Sequence, residues 1–199
     1  MKKEILLSID DAIKAAEKLK EEKAVQFIHD SAKLIAAVFA KGGKILIAGN
    51  GGSLCDAMHF AEELSGQFRK KRMALPAIAL ADAGFLTCTA NDFGYEEVFA
   101  RGVEAYGKKG DVFIALTTSG NSLNLLQAFY KAKERHLRTI AFLGKDGGKM
   151  KGMADLEWVV DGFSTSDRIQ EAHMAAIHIL IEMVEKELFP CSTLHSFVC

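Results

Sequence analysis

The chain has 199 residues, 49% hydrophobic and 26% charged, which fits one soluble globular domain with a core of its own. Its 25 basic and 26 acidic residues leave a net charge of −1, so no global field recruits nucleic acid or an anionic membrane. Cys55, Cys88, Cys191 and Cys199 form no C-x-x-C pair, which argues against a metal knuckle or a thioredoxin-type site.

Residues 3–20 and 22–41 carry apolar residues three and four apart and read as two helices, without a strong breaker until Gly42 and Gly43. The start of the chain does not read as a secretory signal, because acidic residues follow its short apolar run at once. Apolar runs then recur at 44–48, 76–81, 111–118, 138–143 and 156–160. They are continuous rather than alternating, as expected of strands covered on both faces. Helical patterns at 54–64, 95–105, 123–136 and 148–153 lie between them, and a last helix is expected over 167–188. Its middle, MAAIHILIEMV, is apolar nearly all round, the mark of a helix buried in a core or against another subunit. Its most apolar part, 174–181, is about half the length a bilayer span needs. Strand–helix alternation predicts a three-layer αβα sandwich with a five-stranded parallel sheet, preceded by N-terminal helices. One domain is expected over 1–189, including helices at 3–41, with a tail at 190–199 that has no clear period. Taken together, these features indicate a cytoplasmic protein with reduced thiols and no membrane span.

Two loops attract chemistry. GNGGS, 49–53, follows a strand and opens a helix, where free backbone N–H groups and the positive dipole end suit an anion. It is not a Walker loop, lacking the lysine, and not a dinucleotide fingerprint, since Leu54 stands where the third glycine belongs. No nucleotide cofactor is therefore expected. Alone, the stretch reads equally as a tight turn. TTSGNS, 117–122, repeats the placement at the end of another strand. Ser122 or Asn121 could serve as an N-cap there, but one cap needs one such residue, and four hydroxyls and an amide exceed that need. Both loops belong at the carboxyl ends of parallel strands, where open sheets bind ligands.

With GNGGS…DAMHFAEEL, the motifs NDFG at 91–94, TTSGNS, GKDGGKM at 144–150 and DRIQEAHMAAIHIL at 167–180 follow in order, and the set resembles the sugar isomerase (SIS) domain family, more narrowly its phosphoheptose isomerases. The resemblance covers nearly the whole chain to about residue 188. It implies a flavodoxin-like strand order and conversion of sedoheptulose 7-phosphate to glycero-manno-heptose 7-phosphate through an enediol(ate), the first step of bacterial heptose-nucleotide synthesis. It also implies a homotetramer with sites built between subunits.

Such an isomerisation needs a base, an acid and exclusion of water, and no redox cofactor. His59 and Glu63 are four apart and share a helix face; Gln170 and His178 are linked through Met174 at four-residue steps. From the residues alone, His178 is better read as a core histidine, and Glu62 equals Glu63 by type. The resemblance separates them: it implies Glu63 as base and His178 as acid. It assigns Asn50, Gly51, Gly52, Ser53, Asn91, Asp92, Thr117, Thr118, Ser119, Ser122, Asp167 and Gln170 to the substrate, with threonine at 117 where serine is usual. Some members hold zinc through the equivalents of His59, Glu63, Gln170 and His178, which implies a zinc site here whose role the sequence leaves open. A rival reading is a non-catalytic SIS protein that binds a sugar phosphate or a replication initiator. The basic run Arg69, Lys70, Lys71, Arg72 reads as a solvated loop, or as steering for an anionic substrate, and Trp158 as core.

Overall fold

The structure, a computed structural model, describes residues 1–190, so the tail with Cys191 and Cys199 lies outside the described residues. Helices α1 (Lys2–Glu17) and α2 (Glu22–Ala40) lead into β1 (Ile45–Gly49), α3 (Gly52–Ser65) and β2 (Ala77–Ala79). Then come α4 (Ala83–Phe93), α5 (Val98–Tyr106), β3 (Val112–Thr117) and α6 (Leu123–Glu134). The chain closes with β4 (Arg138–Gly144), β5 (Leu156–Val160) and α7 (Ser166–Leu188). The five strands are parallel in the order β2-β1-β3-β4-β5, the flavodoxin-like arrangement.

Alternation along each strand divides the apolar residues between two cores. Ile45, Ile47, Val112, Ile114, Ile140, Phe142 and Trp158 face α2, α3 and α7. Leu46, Ala48, Phe113, Ala115, Ala141 and Leu143 face α5 and α6. The runs looked continuous in sequence because both faces are buried in this way.

Two expectations change, and a third, for the last helix, is narrowed. A helix, α4, stands in the stretch before Tyr95 that carried no helical pattern. Only Thr89 of it is buried, so it has no apolar stripe to betray it; it starts instead on a cap, Phe85 N–H donating to Asp82 Oδ1 at 2.7 Å. The pattern at 148–153 yields a single 3₁₀ turn, Gly148–Met150. Helix α7 buries one stripe, from Ile169 through Ala172, His173, Ala176, Ile177 and Leu180 to Val184, and is not buried all round within this chain. By contrast α1 buries only Ala15 and turns Leu6, Leu7 and Ile13 outward.

In a parallel sheet each following helix runs back against its strand, so α3 and α7 lie side by side in the same direction. Ser53 meets Gln170 at their starts, and His59 meets His178 two turns later. That shared direction positions the site.

Candidate active site

Helix α3 leaves β1 on one face of the sheet and α6 leaves β3 on the other, although β1 and β3 are neighbours with Gly49 paired to Leu116. The switch point of the sheet, where open α/β sheets bind ligands, therefore lies between GNGGS and TTSGNS. Gly51 turns the chain into α3 at φ 55°, ψ −123°, a conformation open only to glycine. Gly52 brings the backbone against the side-chain amide of Gln170, where a Cβ would overlap it.

The hydroxyls of the second loop divide their work. Thr117 is buried, and its Oγ1 accepts from the N–H groups of Ser119 at 3.4 Å and Gly120 at 3.2 Å. Thr118 Oγ1 meets Ser166 Oγ at 3.0 Å, tying the loop to the start of α7. Ser119 Oγ accepts from Asn121 N–H at 3.3 Å. Ser122 occupies the N-cap position of α6 yet makes no side-chain cap bond, so that hydroxyl is not spent on the helix. The GKDGGKM turn buttresses this loop: Met150 N–H donates to Gly120 O, and Lys149 N–H to Asn121 Oδ1. A Cβ on Gly120 would overlap the Gly147 carbonyl, so the two loops touch backbone to backbone.

Two to three helical turns past the glycine loop, His59, Glu63 and His178 converge, with ligand-type atoms all within 4.8 Å of one another. The His59 and His178 Nε2 atoms are 2.8 Å apart, and His59 Nε2 is 3.6 Å from Glu63 Oε1. Glu62 is not equivalent to Glu63: it holds His59 Nδ1 at 3.0 Å from the outer side. Phe68 stacks on His178 at 6.0 Å, and Arg69 lies over Phe68. Burial first, then the neighbouring His59, lowers the His178 pKa, favouring the uncharged ring.

The remaining expected residues are spread around this centre. Gln170 donates to Ser53 Oγ at 3.4 Å and so lies against the glycine loop, about 12 Å along α7 from His178. Asp167 lies on the first turn of α7 and is exposed. Asn91 and Asp92 end α4, exposed and hydrogen-bonded to each other. Asn50 has its side chain committed to Asn124 and Tyr95.

A model of the SIS domain matches residues 9–144. The phosphoheptose isomerase of Fusobacterium nucleatum is 54% identical over 172 residues, covering 86% of this chain and 88% of the relative. That of Sodalis glossinidius is 55% identical over 170 residues, 85% and 88% of the two chains. The chain belongs to the phosphoheptose isomerases of the SIS domain family. The structure of phosphoheptose isomerase from Neisseria gonorrhoeae superposes with a TM-score of 0.85 at 35% identity, covering 93% of this chain and 98% of that one.

Seen as a member of that family, the chain has site neighbours that sequence reasoning passed over. Asp56 lies on the flank of α3 shared with Gly52, His59 and Glu63, nine-tenths buried, with Oδ2 unpaired. Burial pushes its pKa from 3.8 to about 6, against a smaller opposing pull from His59. Its place in the AEEL helix, three before His59, was the available signal. Arg72 corrects the solvated reading of the basic run. Its side chain is 4% exposed, bonded to Glu185 at 2.8 Å and to the Glu63 and Leu64 carbonyls at the end of α3. Lys70 and Lys71 are exposed.

The trio's donor set suits a zinc ion. Two imidazole nitrogens and a carboxylate oxygen converge, and the Glu62 carboxylate on His59 Nδ1 orients its Nε2 inward, as outer carboxylates do around metal-bound histidines. Two ligands of tetrahedral zinc stand roughly 3.4 Å apart, so the histidines need separate by about half an ångström.

Proposed function

We propose that the protein converts D-sedoheptulose 7-phosphate to D-glycero-D-manno-heptose 7-phosphate, an aldose–ketose isomerisation through an enediol(ate). The observation that carries this reading is the convergence of Glu63 and His178 from neighbouring parallel helices, near the two helix starts at the switch point of the sheet. The names of the relatives support the same activity.

In this reading the phosphate lies against Thr118, Ser119 and Ser122 and the free N–H groups of α6, with Thr117 shaping the loop from below. The sugar chain runs past Asn50, Gly51, Gly52 and Ser53, with Asn91, Asp92, Asp167 and Gln170 placed to meet its hydroxyls. Glu63 takes the proton from C1 of the ketose, and His178 supplies one to the carbonyl oxygen at C2. The enediol then returns a hydroxyl proton to His178 and receives carbon-bound hydrogen at C2 from Glu63, which leaves both groups as they began. Burial favours the uncharged ring of His178, which fits a role as hydrogen-bond donor to the carbonyl oxygen rather than as a standing cation. Zinc held by His59, Glu63 and His178 would polarise adjacent sugar oxygens when bound, and Gln170 would join them as a further ligand only by leaving Ser53 Oγ. The outward apolar face of α1 supports assembly as a homotetramer, and the composition supports a cytoplasmic location.

The decisive test is incubation with sedoheptulose 7-phosphate and separation of the heptose phosphates, with and without zinc. Product from the wild type and none from Glu63→Gln, at an unchanged circular dichroism spectrum, is expected. No product from the wild type under either condition would favour a sugar-phosphate binder, and an unimpaired Glu63→Gln would remove Glu63 as base.

A further inference from the structure

We propose that Asn124 is a positioning residue for the isomerisation, which clamps the glycine loop, the hydroxyl loop and the Tyr95 turn into one binding surface. The inference rests on the reading of those loops as the sugar-phosphate site. Asn124 is the second residue of α6 and only 3% exposed. Its amide pairs reciprocally with that of Asn50: Asn50 Nδ2 donates to Asn124 Oδ1 at 3.0 Å, and Asn124 Nδ2 donates to Asn50 Oδ1 at 2.8 Å. Tyr95 Oη donates to the same Asn50 oxygen at 2.9 Å, and Leu125 N–H donates to Asn124 Oδ1 at 2.9 Å. Both carbonyl oxygens therefore carry two bonds each, the full use of their lone pairs.

The backbone gives a reason for such a device. Past Gly49 and Thr117 the sheet ladder ends, and α3 and α6 depart on opposite faces. No strand pairing fixes the gap between the two loops beyond that point, so side chains must. Asparagine is a weak helix former, and here its amide oxygen takes one first-turn N–H of its own helix, that of Leu125, while the rest of the amide is turned away from solvent. It reaches 74 positions back along the chain instead. The Tyr95 bond adds the segment that follows Asn91 and Asp92. Asn50 is consequently a member of the clamp by its side chain, which leaves one side-chain N–H for a ligand, its backbone carbonyl being taken by Ser53 N–H.

Asn124→Asp tests this with almost no change of shape. It keeps the bonds from Asn50 Nδ2 and Leu125 N–H but sets an oxygen against Asn50 Oδ1. We expect the KM for sedoheptulose 7-phosphate and the Kd for inorganic phosphate, measured by calorimetry, to rise together by about tenfold or more, with kcat changed by less than about threefold. Tyr95→Phe, at an exposed side chain, is expected to raise both by roughly twofold to threefold, and to add nothing on top of Asn124→Asp. A folded Asn124→Asp with wild-type KM and phosphate Kd overturns the clamp, as does strict additivity of the two changes. Should Asn124→Asp not fold, Tyr95→Phe decides, and unchanged KM and Kd in that variant overturn it. If the wild type binds phosphate but turns over no heptose phosphate, the isomerase reading fails and the phosphate comparison still decides the clamp. If the wild type binds neither, there is no ligand for the clamp to position and it falls.

Discussion

Asp56 is the residue whose energetics run against the fold. Its Oδ2 is buried without a partner, and burial holds the carboxyl near pH 6 rather than 3.8. A folded pKa above the unfolded one means that protonation favours folding, so the cost in stability builds as the pH rises from 3.8 and is complete above about 6. At 1.4 kcal/mol per unit, that cost is about 3 kcal/mol at neutral pH. Unpaired charge of this kind collects where its chemistry is used. Asp56→Asn removes the charge at constant shape. It is expected to raise stability by about 2 to 3 kcal/mol at pH 7.5 in urea titrations, and to lower kcat by about tenfold or more. Raised stability with an unaltered kcat would leave Asp56 as a strained core residue beside the trio.

Helix α3 carries the site, and its C-terminal end is held by one buried side chain. Arg72 bonds the Glu63 and Leu64 carbonyls, which have no partner within the helix, and pairs with Glu185 of α7. It thereby fixes α3 against α7 next to Glu63. Arg72→Ala is expected to cost about 3 kcal/mol by chemical unfolding, because it strands the Glu185 carboxylate and the Glu63 carbonyl, the Leu64 carbonyl keeping Leu75 N–H, whereas Lys70→Ala and Lys71→Ala change little. Equal, small effects across the three would return Arg72 to the solvated class. The strands were legible to within a residue or two at most ends because burial on both faces writes itself as unbroken apolar runs; β2 is shorter, three residues at the sheet edge. Helix α4 was not legible, since Gly84, Thr87 and Thr89 give it neither propensity nor stripe. The two candidate loops could be located between strand and helix, each being a local pattern. The Asn50–Asn124 pair and the role of Arg72 could not, because they join residues with no shared periodicity, and a basic run looks the same whether its last member is buried or solvated.

Across the whole molecule two buried titrating groups oppose each other. His173 on α7 is fully buried among Phe142 and Trp158, its Nε2 donating to Leu143 O at 3.0 Å, and burial lowers its pKa from 6.5 to about 4. A depressed histidine pKa contributes stability that is present above pH 6.5 and is lost as the pH falls through about 4, worth about 3 kcal/mol. Asp56 contributes the reverse: its cost is absent below pH 3.8 and complete above about 6. The two windows overlap almost fully, so their slopes cancel in the wild type between about pH 4 and 6.5. Removing either group should expose the other. Relative to wild type, Asp56→Asn is expected to lose stability more steeply as the pH falls from 6.5 to 4. His173→Gln, which keeps a donor for Leu143 O, is expected to gain relative stability over the same fall, whatever its level at neutral pH. Urea unfolding at half-unit pH steps reads both slopes. Parallel curves for the two variants would show that neither group titrates where burial places it; opposed curves would show that a flat profile in this family member is a balance of two buried charges rather than the absence of any.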